Sequence, residues 1–210
     1  ASPHRGTKGQ FYEGGTLVPG LIEWPARIRQ PRTTNVRATT SDLLPTLCAI
    51  AGRPLPDRPL DGIDLTPVLD GTMAARPSPL FFWGYNIGRL TAAGAPPTID
   101  PRLQEGTTPL VKLSGSKATR DFNNLRHPGD FTDADFLGPR AVIDGPYKLI
   151  VHDGGKSAAS TVELFDLDAD PAEKTDLAGR DRERAAQLQA KLREWQQSVL
   201  KSLTGADYGK

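Results

Sequence analysis

The strongest constraint on the fold lies near the carboxy-terminal end, where Arg140-Ala141-Val142-Ile143 and Tyr147-Lys148-Leu149-Ile150-Val151-His152 flank the turn triplet Asp144-Gly145-Pro146. Two runs rich in β-branched residues around so short a turn predict an antiparallel hairpin. After Asp153-Gly154-Gly155, the run Val162-Glu163-Leu164-Phe165-Asp166 predicts another short strand. The last element extends from about Asp181 to Leu203: Leu188, Leu192, Trp195, Val199 and Leu203 recur at spacings of four, three, four and four, a helical stripe expected to pack on the hairpin sheet.

The earlier part of the chain is less regular. Gly6, Gly9, Gly14 and Gly15 precede Thr16-Leu17-Val18-Pro19-Gly20-Leu21-Ile22-Glu23-Trp24, which reads as a loop delivered onto a buried strand. Thr39-Thr40-Ser41-Asp42 is a helix start signal before Leu43, Leu44, Leu47, Ile50 and Ala51, and Gly52 is a stop. Pro45 falls in the first turn, where its missing N–H matters little. Asp61 to Gly71 reads as turn, short helix, turn, and Leu80-Phe81-Phe82-Trp83 as a strand. From Tyr85 to about Pro139 no period is sustained, and an inserted surface region is expected. No internal repeat is present.

Composition excludes several classes. Lys and Arg number 26 against 25 Asp and Glu, so no global field attracts nucleic acid or an anionic membrane. No apolar run reaches the length of a membrane span, and the first residues lack a charged-then-apolar leader pattern. With 37% apolar residues over 210 positions, a folded, water-soluble chain is expected. Cys48 is the single cysteine and sits in an apolar run, so it reads as a small buried hydrophobe.

The segment with chemical content is Arg5-Gly6-Thr7-Lys8-Gly9-Gln10-Phe11-Tyr12-Glu13-Gly14-Gly15. A lysine flanked by glycines brings an ammonium close to a bound anion while the backbone approaches unobstructed. Composition alone favours a flexible surface turn with a solvated lysine, because glycine and lysine are common in loops. His4, His127 and His152 lack metal-ligand spacing, and no metal ligand is assigned.

Lys8-Gly9 with Tyr12-Glu13-Gly14-Gly15, then Val18-Pro19 and Trp24-Pro25, resembles the second signature of the sulfatase family. Ser41-Asp42-Leu43-Leu44-Pro45-Thr46-Leu47, Asp61-Gly62-Ile63-Asp64-Leu65, the hairpin run Arg140 to Ile150 and the run Glu163 to Ala178 continue the resemblance in order. It covers residues 1 to about 85 and 138 to 203. The resemblance implies an α/β fold: the carboxy-terminal part of an alkaline-phosphatase-like sulfatase, ending in a small α+β domain of four-stranded antiparallel sheet and a terminal helix. The expected division is the end of the α/β domain over 1–85, an inserted region over 86–137 and the sheet and helix over 138–210.

By the same resemblance the activity is sulfate-ester hydrolysis, with Lys8 contacting the sulfate and the leaving oxygen. Glu13, Gly14 and Gly15 are supports of the site, Glu13 either orienting Lys8 or capping backbone donors. A formylglycine nucleophile and a calcium ion are expected in the complete enzyme but not from this chain. Cys48 is followed by Ala49-Ile50-Ala51-Gly52 and lacks the Pro and Arg of a formylglycine precursor. The acidic pairs that normally hold calcium would precede Ala1, and Leu17 stands where relatives often have arginine.

The expected partners are a sulfate ester and the missing amino-terminal half of the enzyme, with self-association as a further expectation and a periplasmic or secreted location. Lys112, Lys117, Arg120, Asn123, Asn124, Arg126 and His127 suit either a solvated loop or contact with a sulfated sugar. Two competing readings are a phosphodiester or phosphonate monoester hydrolase of the same superfamily, and a non-catalytic binding module.

Overall fold

The computed structural model of the protein describes residues 3–85, 132–153, 160–204 and 206–207. Four strands, β1 (Leu80–Trp83), β2 (Arg140–Asp144), β3 (Tyr147–His152) and β4 (Thr161–Asp166), form one antiparallel meander in sequence order. The predicted hairpin is β2 and β3, paired Ala141 to Ile150 and Val142 to Leu149, and β4 continues the ladder with Leu149 opposite Leu164. Gly145 opens the two-residue turn at φ 57°, a left-handed backbone that strains any residue with a Cβ.

Alternation along the strands divides the sheet into two faces, and both are covered. On one face Val142, Leu149, Val151 and Leu164 meet Ala185, Leu188 and Leu192 of the terminal helix. On the other, Leu80, Ala141, Ile143, Ile150 and Phe165 lie under Phe11 and Tyr12 of the amino-terminal loop. Coverage on both sides explains why β2 and β3 read as nearly continuous apolar runs. Leu149 and Leu164 are fully buried, each worth about 1.5–3 kcal/mol against exposure.

Three short helices precede the sheet: α1 (Glu13–Thr16), α2 (Leu43–Ile50) and α3 (Thr66–Leu69). The terminal helix, α4, spans Arg182–Thr204. Asp181 starts it by accepting the Arg184 N–H at 3.1 Å. Its inward face shares Leu188 and Leu192 with the predicted stripe and then departs from it: Ala185, Gln196 and Leu200 are buried, while Trp195 and Val199 are half-buried. The polar Gln196 hides in that face because its amide donates to the Phe136 carbonyl at 3.2 Å, which no apolar period reveals.

Two expectations fail in the amino-proximal region. Residues 17–24 form no strand, and Val18 and Leu21 are 76% and 96% exposed. The pattern suits a strand, yet a strand needs a neighbour to take its backbone hydrogen bonds, and among the described residues none lies beside it. Helix α2 forms and stops at Gly52, as predicted, but Leu43, Leu44, Leu47 and Ile50 point outward, and Pro45 and Thr46 are its buried residues.

What anchors α2 is polar. Asp42 is fully buried, accepting the Thr39 and Ile63 amides at 2.7 and 2.8 Å and both terminal nitrogens of Arg76 at 2.8 and 2.9 Å. Thr46 Oγ1 donates to the Asp42 carbonyl and accepts the Leu65 amide. The start signal read from sequence is therefore also a tertiary hub. Residues 86–131 of the expected insertion, including Lys112, Lys117, Arg120, Asn123, Asn124, Arg126 and His127, lie outside the described residues. The remainder ends in a short 3-10 turn, Asp133–Phe136, with Phe136 packed inside.

Candidate functional site

The glycine-rich segment closes on itself. The Gly14 N–H donates to the Arg5 carbonyl at 2.7 Å, making a neck, and the Gln10 N–H donates to the Thr7 carbonyl at 3.0 Å, making a turn at the tip. Gly6 and Gly9 flank Lys8 at φ 84° and 93°. A Cβ on Gly14 would lie 2.4 Å from the Gly6 carbonyl oxygen, and one on Gly15 would lie 2.1 Å from that of Gln10. These two glycines are demanded by close backbone approach, not by flexibility.

Lys8 sits in the tip turn with its side chain exposed, and it pairs with no acidic side chain among the described residues. Glu13 does not reach Lys8. It is buried, and its Oε1 accepts from Lys148 Nζ at 2.8 Å. Of the two roles open to Glu13, orienting the lysine directly is corrected: its carboxylate ties the loop to β3 instead. Lys148 is also 3.0 Å from Glu173 Oε1, an ion pair without hydrogen-bond geometry, and the second Glu173 oxygen accepts the Glu13 N–H at 2.6 Å.

A second cluster holds the outer side of the loop. Arg5 donates to Glu163 Oε1 at 3.0 Å and to the Glu173 carbonyl at 3.1 Å, with its guanidinium 4.0 Å above the Tyr12 ring. The Tyr12 hydroxyl donates to Glu163 Oε2, and His152 Nε2 lies 2.7 Å from the same oxygen. Burial, and then the Glu163 carboxylate that accepts its hydroxyl, push Tyr12 up to about 12. Burial opposes ionisation of Glu163, but hydrogen bonds from Tyr12, His152 and Arg5 outweigh it and hold the carboxyl below its usual range. A shallow, open depression beside this cluster is lined by His4, Arg5, Glu163, Glu173, Lys174 and Asp176; its charges are mixed and Lys8 is not among them.

Sequence reading singled out the loop but missed Lys148, Glu163 and Glu173. Lys148 did carry a signal, being a charge inside an otherwise apolar buried strand. His4 lies 3.0 Å from the Pro171 carbonyl, and Cys48 is a half-buried free thiol rather than a core residue. Among the described residues no group of three or more His, Cys, Asp or Glu is placed to hold a metal ion. The described residues therefore do not fit a calcium ion. No described helix is long and apolar enough to cross a membrane.

No family model matches the chain. Human arylsulfatase A is 50% identical over 76 residues, which are 36% of this chain and 15% of that protein. Human steryl-sulfatase is 41% identical over 69 residues, 32% of this chain and 12% of that protein. The matched stretch thus spans a small part of these relatives. A solved structure from Bacteroides thetaiotaomicron, described with the metabolism of multiple glycosaminoglycans, superposes on 93% of this chain and 32% of its own, with a TM-score of 0.58 and 19% identity. The chain is related in sequence to the sulfatases, and that structure shares its fold.

Proposed function

We propose that this chain is the carboxy-terminal part of a sulfate-ester hydrolase of the arylsulfatase kind, in which Lys8 meets the sulfate oxygens and the leaving oxygen. The observation that carries the reading is the 50% identity with arylsulfatase A, a protein whose name states its chemistry. The loop supports it: an exposed ammonium is presented on a turn whose neck and glycines leave it little freedom. Charge building on ester oxygens is best met by cations already in place.

Exposure sets a condition. Two unit charges about 4 Å apart attract by about 1 kcal/mol in water and about 4 kcal/mol near a protein surface. A worthwhile contact therefore needs the lysine covered when substrate is bound. The rest of the enzyme supplies that cover in this proposal, together with the formylglycine nucleophile and the calcium ligands. The outward leucines of α2 and the exposed run from Leu17 to Ile22 suit burial against the same missing part. A periplasmic or secreted location accords with the resemblance.

In the full-length protein, Lys8→Ala is expected to lower arylsulfate turnover by about 10²-fold or more, the scale of one preorganised charge contact. Steady-state kinetics with calcium present check it, and an unchanged rate refutes the assignment of Lys8.

A further inference from the structure

Lys148 is a lysine side chain with no exposed surface, set on a strand between Tyr147 and Leu149. Burying an ammonium carries a desolvation penalty of several kcal/mol, and well-packed apolar residues often replace a buried ion group with no loss of stability. Stability alone does not account for it. Its partners, Glu13 at 2.8 Å and Glu173 at 3.0 Å, both belong to the attachment of the glycine loop.

Glu173 adds an independent observation. Among the described residues it is the non-glycine residue with positive φ, at 54°, a backbone that costs of order 1–3 kcal/mol and persists only where its surroundings impose it. In that conformation it touches both feet of the loop. Its carbonyl accepts from Arg5 at 3.1 Å, and its carboxylate accepts the Glu13 N–H at 2.6 Å. The feet are themselves joined by the Gly14 amide on the Arg5 carbonyl, and Lys8 lies between them.

We infer that Lys148 and Glu173 are positioning residues for Lys8, a buried pedestal on which the carboxy-terminal sheet fixes the loop so that the ammonium meets an anionic ester in one place. The inference rests on the reading of Lys8 given above. Neither residue touches the substrate; each acts through the loop. A strained glutamate and a desolvated lysine are accounted for together, because both are spent on the same attachment.

A double-substitution cycle in the full-length protein tests this. Glu173→Gly tolerates the backbone at φ 54° and leaves Lys148 balanced by Glu13. It is expected to lower kcat for an arylsulfate about 10- to 100-fold with KM little changed, the scale of a misplacement of about 1 Å. Glu173→Gln keeps an acceptor for the Glu13 amide and is expected to restore most of the rate. In a Lys8→Ala background Glu173→Gly is expected to do nothing further, and an equal loss in both backgrounds overturns the positioning role.

Amide exchange read by mass spectrometry gives a measure that needs no activity. Residues 6–16 are expected to exchange faster in Glu173→Gly while 141–151 keep their rates; an unchanged loop overturns the pedestal. Should that variant fail to fold, Glu13→Ala, which severs the same foot from Lys148, carries both measurements. If the unsubstituted protein hydrolyses no sulfate ester, the proposed function falls, and loop exchange alone decides the pedestal.

Discussion

The sheet of β1–β4 with α4 and the region from residue 16 to residue 76 differ in the balance of what holds them. In the first, leucine, isoleucine and valine side chains vanish between helix, sheet and loop, and polar groups enter only where they are paired. In the second, Leu17, Val18, Leu21, Leu43, Leu44 and Leu47 are exposed, while Asp42, Thr46 and Arg76 share the interior with Leu65 and Leu69. The two regions meet through polar contacts: Arg37 donates to the Gly145 carbonyl at 2.9 Å, and Trp195 Nε1 to Asp61 at 2.7 Å. A polar hub specifies geometry without removing much apolar surface from water, so the second region holds its shape while keeping apolar faces outward.

That contrast breaks most readily at the hub. Asp42→Ala strands the Arg76 guanidinium among buried groups and is expected to cost about 3–5 kcal/mol, the scale for removing one partner of a buried ion pair. If the regions differ as described, exchange should rise over 39–70 and remain slow in β2 and β3. Equal loss of protection everywhere would show a single cooperative unit.

Leu149→Ala comes next, at about 2–5 kcal/mol by urea unfolding, because the leucine is fully enclosed. Leu47→Ala in this chain is expected to stay within about 0.5 kcal/mol, since its side chain is 60% exposed. Similar costs at both sites would erase the distinction.

Acid gives the smallest and most graded effect. Burial works against ionisation of Asp42, but Arg76 and the Ile63 and Thr39 amides hold its carboxyl below the usual range, as hydrogen bonds do for Glu163. Both are depressed in the folded state, so the unfolded chain binds protons first and stability falls as pH drops from about 4 through the folded values. Urea midpoints between pH 7 and pH 3 should decline, and Glu163→Gln should flatten part of the decline. A midpoint independent of pH would contradict the burial and pairing described for both carboxylates.

Short β-branched runs around a turn made the carboxy-terminal sheet legible, because strand composition and turn chemistry are local and the faces they bury are covered by the same chain. The segment 17–24 has the same kind of pattern but no adjacent strand, and pattern alone cannot provide one. Helix α2 is legible as a helix and not in its facing, since its orientation follows from Asp42 and Arg76, 34 positions apart. The candidate site divides likewise. Its glycine-flanked lysine stands out in the sequence, whereas the supporting contacts join Glu13 to Lys148 across 135 positions and to Glu173 across 160. Only the fold brings those groups together.

The neck of the glycine loop has a consequence for how such a protein changes over time. Because the Gly14 amide seals the loop at the Arg5 carbonyl, the residues of the tip contribute little to the sheet beneath. Gln10 also braces the tip, its Oε1 accepting the Thr7 amide at 3.0 Å, so a substitution at Thr7 or Gln10 alters how the ammonium is presented before it disturbs the sheet.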